Sequence, residues 1–317
     1  MRYKVLVFAE VEPYKAVLPQ IEAHCDIHRW VPGESSMEEV LPQIEGLFTY
    51  GHHKVDGDFM DRIPKLKVIS NFGVGVDHID LAAAQERGIP VGNTPNVLDG
   101  ATADMTFALM LAAGRNVVSG DRFARSAEFT FYDPSFMLGQ EIHSATLGIV
   151  GMGNIGLAVA RRALAFDMEV IYHNRNRRPE AEAELGVRYA PLDELLAQAD
   201  FVALNMPLTA ETRNMIGARE LGLMKPTAVL VNAARGGVVD HDALVEALRQ
   251  QRIFAAGLDV TEPEPLPRNH PLLSMDNVVI MPHLGSATHQ TRQAMADRSV
   301  GNLLAGLRGE ELLSRIV

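Results

Sequence analysis

The chain has 317 residues, 47% of them hydrophobic, which suits a globular protein long enough for two domains of about 100–200 residues each. A formal net charge of −11 argues against the basic face that non-specific nucleic-acid binding needs, so no nucleic-acid partner is expected; a small anionic substrate needs only local positive charge. A single cysteine, Cys25, permits no internal disulfide. No apolar run reaches the roughly 18 residues of a membrane span, and the start lacks a secretory apolar core, so a cytoplasmic protein without a membrane partner is expected.

Val5 to Phe8 read as a first strand, followed by an amphipathic segment around Tyr14 to Ala23. Ser36 with Glu39 three residues on has the spacing of a capping box before a short helix. Strands are predicted at Leu47–Tyr50, which runs into Gly51-His52-His53, at Leu66–Ser70 and at Ile89–Val91, with a helix over Leu81–Arg87 stopped by Gly88. Alternating strands and helices imply a parallel sheet covered on both faces. The cluster Asn93-Thr94-Pro95-Asn96 marks a domain boundary. Ala103 to Ala113 is apolar nearly all round apart from Asp104, so that helix is expected to lie between domains or against a second subunit. Six further strands are predicted, at Leu147–Val150, Val170–Tyr172, Phe201–Leu204, Ala228–Val231, Ala255–Leu258 and Val278–Met281, enough for a doubly wound dinucleotide fold. A helix over Thr288–Leu307 is expected to return to the first domain. The division that results is 1–98 with 288–317 as a smaller substrate domain and 99–287 as a dinucleotide domain.

The most informative stretch is Thr146 to Arg178. Leu147, Ile149 and Val150 form an apolar strand, Gly151, Gly153 and Gly156 follow at G-x-G-x-x-G spacing, and Leu157, Ala160, Ala163 and Leu164 repeat at helical spacing before a second strand at Val170–Tyr172. This is the unit that seats a dinucleotide pyrophosphate on a helix N-terminus. Gly151 lets the chain turn, Gly153 admits the phosphates, and Gly156 lets helix and strand pack closely; Asn154 and Ile155 complete the turn. The position past the second strand, where an acid would bond the ribose 2′-OH of NAD, is Asn174, followed by Arg175, Arg177 and Arg178. A carboxylate would repel a 2′-phosphate and a guanidinium would bind it, so NADPH is expected over NADH. A solvated basic loop is the plainer alternative.

Three residues near strand ends of this domain could do chemistry: Arg235 in V-N-A-A-R-G-G-V-V-D, Glu264 in G-L-D-V-T-E-P-E-P, and His283 in I-M-P-H-L-G-S. Singly, each has an ordinary explanation: a surface ion pair, a solvated proline-rich loop, a structural histidine. Together beside a dinucleotide fold, they are what reduction of a 2-keto acid needs. A cation holds the carboxylate and polarises the carbonyl, a histidine gives a proton to the new alkoxide, and an acid orients the imidazole and favours its charged form.

These segments, with G-V-G-V-D-H-I-D (73–80), N-T-P-N-V-L (93–98), T-A-D (102–104) and P-L-T-A-E-T-R (207–213), resemble the D-isomer-specific 2-hydroxyacid dehydrogenases over nearly the whole chain. The resemblance implies two doubly wound parallel-sheet domains, one Rossmann-type and one smaller and flavodoxin-like. It makes Arg235, Glu264 and His283 the catalytic triad. Val74 and Gly75 N–H groups would bind the substrate carboxylate, with Gly51 and His52 near the substrate side chain. Thr102, Pro207, Thr212, Ala233, Asp259 and His283 would line the cofactor, Asp259 accepting from the nicotinamide carboxamide. A homodimer through the second domain is implied, involving the 103–113 helix, and no metal. Two departures stand out: T-A-D replaces the family's T-A-E, and Asn174-Arg175 replaces the acid after the second strand, as in the NADPH-dependent glyoxylate/hydroxypyruvate reductases. Glu264 where formate-using relatives carry Gln disfavours formate. The expected reaction is NADPH-dependent reduction of glyoxylate and hydroxypyruvate to glycolate and D-glycerate, with domain closure excluding water. The alternatives are the same chemistry on a larger 2-keto acid, such as hydroxyphenylpyruvate or 2-ketogluconate, and a dinucleotide-sensing, corepressor-like binding protein.

Overall fold

Strands buried on both faces read as unbroken apolar runs, and the central strands here do so because helices cover each sheet on both sides. The computed structural model describes residues 2–9, 11–30 and 37–317. It divides into two compact units, Met1–Leu98 with Ala287–Val317, and Asp99–Ser286.

The first unit contains β1 (Tyr3–Phe8), α1 (Val17–Glu22), β2 (Cys25–Trp30), β3 (Gly46–Thr49), α2 (Gly57–Asp61), β4 (Val68–Asn71), α3 (Leu81–Glu86) and β5 (Val91–Gly92). The strands pair in parallel in the order β2-β1-β3-β4-β5, the flavodoxin-like order. Leu6, Leu47 and Ile69 on the inner strands are fully buried, as is Val91 on β5. Asp56 and Asp80 cap α2 and α3, accepting from Phe59 and Ala83 N–H at 3.0 and 2.9 Å. The C-terminal helix (His289–Arg308) lies on β3, β4 and β5. Gly306 makes that approach possible, since a Cβ there would sit 2.5 Å from Val68. The chain end then joins the edge of β5, where Ile316 N–H donates to Val91 O at 2.8 Å.

Sequence reading missed β2, whose pattern is mostly polar because it is an edge strand with only Cys25 buried. It also started β4 and β5 two residues early, and it did not foresee α2. Of the expected capping box, Ser36 lies outside the described residues and Glu39 sits in a turn.

The second unit contains α4 (Asp99–Gly114), α5 (Val117–Ala124), β6 (Thr146–Val150), α6 (Asn154–Leu164), β7 (Glu169–His173), α7 (Pro179–Leu185), β8 (Arg188–Tyr189), α8 (Leu192–Gln198), β9 (Phe201–Leu204), α9 (Ala218–Leu223), β10 (Val229–Asn232), α10 (His241–Arg249), β11 (Ala255–Leu258) and β12 (Val278–Ile280), before the C-terminal helix, α11. Its seven parallel strands run β12-β11-β10-β9-β6-β7-β8, so the order reverses between β6 and β9, the switch point where such sheets bind ligands. The strand that six predicted ones left out is the two-residue edge strand β8. The apolar helix α4 finds its partners inside its own unit, against α6, β10, β11 and β12, and Gly257 on β11 leaves room for Leu109.

Candidate active site

At the end of β6, Gly151 has φ +100°, and a Cβ there would lie 2.5 Å from Met206 N. A Cβ on Gly156 would lie 2.3 Å from Gly151 O, so only glycine lets α6 pack on this turn, whereas among the described residues nothing lies within 4 Å of a Cβ on Gly153. Gly153 is also the N-cap of α6 and makes no side-chain cap bond. The positive end of an 11-residue helix beside open space is what a pyrophosphate requires, so these residues fit a dinucleotide. Asn154 and Ile155 open the helix, and Asn154 bonds Asp99, whose carboxyl burial pushes up.

The basic loop after β7 separates into unequal parts. Asn174 Oδ1 accepts from Met152 N–H at 2.7 Å, bracing the glycine turn. Arg177 holds Glu182 through two bonds of 2.8 Å, and Tyr172 Oη donates to the same carboxylate at 2.7 Å. The Arg177 bond, then the Tyr172 bond, hold the Glu182 carboxyl down at about 2. Arg178 reaches Met152 O at 3.2 Å and pairs with Glu180. Arg175 is exposed, and its charge reaches Glu211 on the 207–213 turn. Within that turn Thr212 Oγ1 donates to Pro207 O at 2.7 Å.

Arg235, Glu264 and His283 follow the C-terminal ends of three neighbouring strands, β10, β11 and β12. His283 Nδ1 meets Glu264 Oε1 at 2.8 Å, with about a third of each side chain exposed. Arg235 leaves β10 beside Ala233, and Gly236 packs so tightly under the Glu264 loop that a Cβ would lie 2.0 Å from Thr261 C. Asn232, fully buried, shapes this turn: its Oδ1 accepts from Ala234 N–H at 3.0 Å and its Nδ2 donates to Arg235 O at 2.8 Å.

His283 lies in the left-handed region, φ +56°, a conformation that costs a non-glycine residue roughly 1–2 kcal/mol. Asp259 supports it. Asp259 O accepts from His283 N–H at 2.8 Å, and its carboxylate accepts from Leu284 and Gly285 N–H at 2.7 and 2.8 Å. A carboxylate only 2% exposed thus braces the His283 turn, a role that sequence reading did not give it. Thr102 borders the same glycine, 3.3 Å from where a Gly285 Cβ would be. Asp104, the shorter acid of T-A-D, pairs with Arg162 at 2.7 Å and ties α4 to α6.

Gly51, His52, Val74 and Gly75 belong to the first unit. Gly51 turns the chain after β3 with φ +114°, and the His52 ring lies 5.5 Å from His78. Val74 and Gly75 form a half-buried turn after β4.

Residues 107–285 match the family described as D-isomer specific 2-hydroxyacid dehydrogenase, NAD binding domain. The chain belongs to the D-isomer-specific 2-hydroxyacid dehydrogenase family. It is 49% identical over 286 residues to a glyoxylate reductase of Pyrococcus furiosus, covering 89% of this chain and 84% of that one. It is 45% identical over 312 residues to a glyoxylate reductase of Korarchaeum cryptofilum, covering 97% and 94%. Among solved structures, an NADPH-dependent glyoxylate/hydroxypyruvate reductase from Sinorhizobium meliloti, in complex with NADP and malonate, matches with a TM-score of 0.89 at 34% identity, over 100% of this chain and 97% of that one. The chain is therefore a nicotinamide-dinucleotide-dependent dehydrogenase of 2-hydroxy acids and their 2-keto counterparts.

Proposed function

We propose that this dehydrogenase reduces glyoxylate and hydroxypyruvate with NADPH, giving glycolate and D-glycerate. The observation that carries the chemistry is the His283–Glu264 pair at 2.8 Å, one strand over from Arg235. With Nδ1 given to Glu264, His283 Nε2 is the atom assigned to donate the proton to the carbonyl oxygen. The Glu264 carboxylate orients the ring and balances its positive charge. Arg235 supplies the cation for the substrate carboxylate and carbonyl. The bound dinucleotide would supply the hydride for the keto carbon. In the first unit, Val74 and Gly75 N–H groups are assigned to the substrate carboxylate, and Gly51 and His52 to its side chain. The division of labour, a substrate unit of 1–98 with 288–317 and a cofactor unit of 99–287, is part of the same reading.

The NADPH assignment rests on Asn174 standing where an acid would repel a 2′-phosphate, with the exposed Arg175 next to it. Because Arg177 is committed to Glu182, Arg175 is the side chain that should grip that phosphate. Small substrates are favoured by the relatives, both glyoxylate reductases. The test is kcat/KM for NADPH and NADH across glyoxylate, hydroxypyruvate, hydroxyphenylpyruvate and 2-ketogluconate. Equal efficiency with both cofactors would defeat the NADPH assignment, and a preference for the larger acids would defeat the substrate assignment. No turnover with any keto acid would favour the dinucleotide-sensing alternative.

A homodimer is part of this reading. The 103–113 helix is the element assigned to it, and the run after α5, where Phe129, Phe131, Tyr132 and Leu138 are 51–81% exposed, offers further apolar surface for the same contact.

A further inference from the structure

In the first unit the turn after β4 is held by its carbonyls. Asn71 Nδ2 donates to Gly73 O at 3.0 Å and to Gly75 O at 2.9 Å. Asn93 Nδ2 donates to Val74 O at 2.9 Å, and Thr94 N–H adds a bond to Gly73 O at 3.1 Å. Both asparagines are themselves fixed. Asn71 is 2% exposed, and its Oδ1 accepts from the buried Thr49 hydroxyl at 2.8 Å. Asn93 O accepts from Asn302 Nδ2 at 2.9 Å and from Ser314 Oγ at 2.6 Å, while Asn302 Oδ1 accepts from Ser314 N–H at 3.0 Å. The fully buried Asn302 lies on α11, and Ser314 follows that helix, so the end of the chain reaches the turn through two residues.

A trans peptide points the C=O of one residue and the N–H of the next in opposite directions. Fixing three successive carbonyls therefore fixes three successive N–H groups, those of Val74, Gly75 and Val76. Each is aimed away from the asparagine that holds the carbonyl behind it. Donors aimed in advance bind an anion without the cost of reorienting peptide planes.

We propose that Asn71 and Asn93, backed by Asn302 and Ser314, are positioning residues that aim the 74–76 backbone N–H groups at the substrate carboxylate. This rests on the reading of that turn as the carboxylate holder. The asparagines touch no substrate; they set the direction of the groups that do.

The experiment compares glyoxylate with methyl glyoxylate, which keeps the aldehyde and lacks the charge. Asn93→Ala and Asn71→Ala should each raise the glyoxylate KM about fivefold to tenfold, the worth of one lost hydrogen bond. The kcat, the NADPH Kd read by cofactor fluorescence, and the methyl glyoxylate KM should stay within about twofold of wild type. Ser314→Ala should give a smaller rise of the same kind. Equal rises for acid and ester, or a fall in melting temperature with no selective KM change, would show a purely structural role and overturn the proposal. Val74→Pro, which deletes one N–H, separates the two levels. If it raises the glyoxylate KM and the asparagine variants do not, the positioning role fails and the carboxylate reading stands. If none of the variants moves that KM, both fail. Should Val74→Pro not fold, the acid-to-ester comparison in the asparagine variants still decides.

Discussion

Replacing Glu264 by Gln removes one charge from the His283 pair and changes little else in shape. The two groups meet at 2.8 Å with about a third of each side chain exposed. Charge centres roughly 4 Å apart attract by about 1 kcal/mol in water and about 4 kcal/mol at an effective dielectric of 20. Solvent screening places this partly exposed pair towards the lower figure, about 1–2 kcal/mol. A factor of ten in rate corresponds to about 1.4 kcal/mol, so Glu264→Gln should lower kcat/KM for reduction about tenfold. His283→Ala should cost more, because it removes the proton donor itself. The double variant Glu264→Gln with His283→Ala should be no worse than His283→Ala alone, since Glu264 acts through the ring. The assay is kcat/KM for glyoxylate with saturating cofactor in the three variants. Losses that simply multiply in the double variant would refute the assignment of His283 as the proton donor paired with Glu264.

Arg175→Ala should raise the NADPH KM about tenfold, as expected for a lost charge-assisted phosphate contact, and leave the NADH KM unchanged; parallel changes in the two would remove Arg175 from the phosphate site. Phe131→Asp with Tyr132→Asp should halve the mass seen by light scattering on a sizing column, and an unchanged mass would place any dimer contact elsewhere. His241, 9% exposed, has its proton affinity lowered by burial from the ordinary 6.5. The unfolded chain then takes up the proton more readily, so the stability this histidine contributes is present above about 6.5 and lost as pH falls through its lowered folded value. His241→Asn should flatten the melting-temperature profile as pH falls below about 6.5, and profiles that stay parallel would show that this ring does not set it.

The glycine turn could be read from sequence because its constraints are local: one residue at positive φ, one under open space, one against a carbonyl five residues back. The three chemical residues could be named from their types and from strand ends, but not paired, because Glu264 and His283 are 19 residues apart and only adjacent strands bring them together. The arginines after β7 look alike in sequence. What distinguishes them is their neighbours: Glu182 holds Arg177 through two hydrogen bonds, whereas the charge of Arg175 reaches Glu211. The strands β2 and β8 were invisible for a different reason: Cys25–Trp30 is mostly polar and Arg188–Tyr189 is only two residues long, so neither carries an apolar run, whereas β12, also an edge, is apolar throughout and legible. The brace at Asp259 spans 25 residues to reach Leu284, beyond any local pattern.

Three of the residues that shape these turns have one position in common. Asn71 and Asn232 end β4 and β10, Asp259 directly follows β11, and all three are at most 2% exposed. A chain leaving a parallel sheet loses its ladder partners just where it must bend. A buried amide or carboxylate at that point takes over the backbone groups of the next few residues, and leaving such a group unsatisfied would cost about 1–3 kcal/mol. Asn232 bonds the backbone on either side of the Arg235 bend, Asp259 the two residues after His283, and Asn71 both ends of the Gly73–Gly75 turn. The hydrogen bonds that satisfy these buried groups also dictate where the turns point. Substitution there should therefore change the direction of neighbouring groups, with the reacting charges left in place.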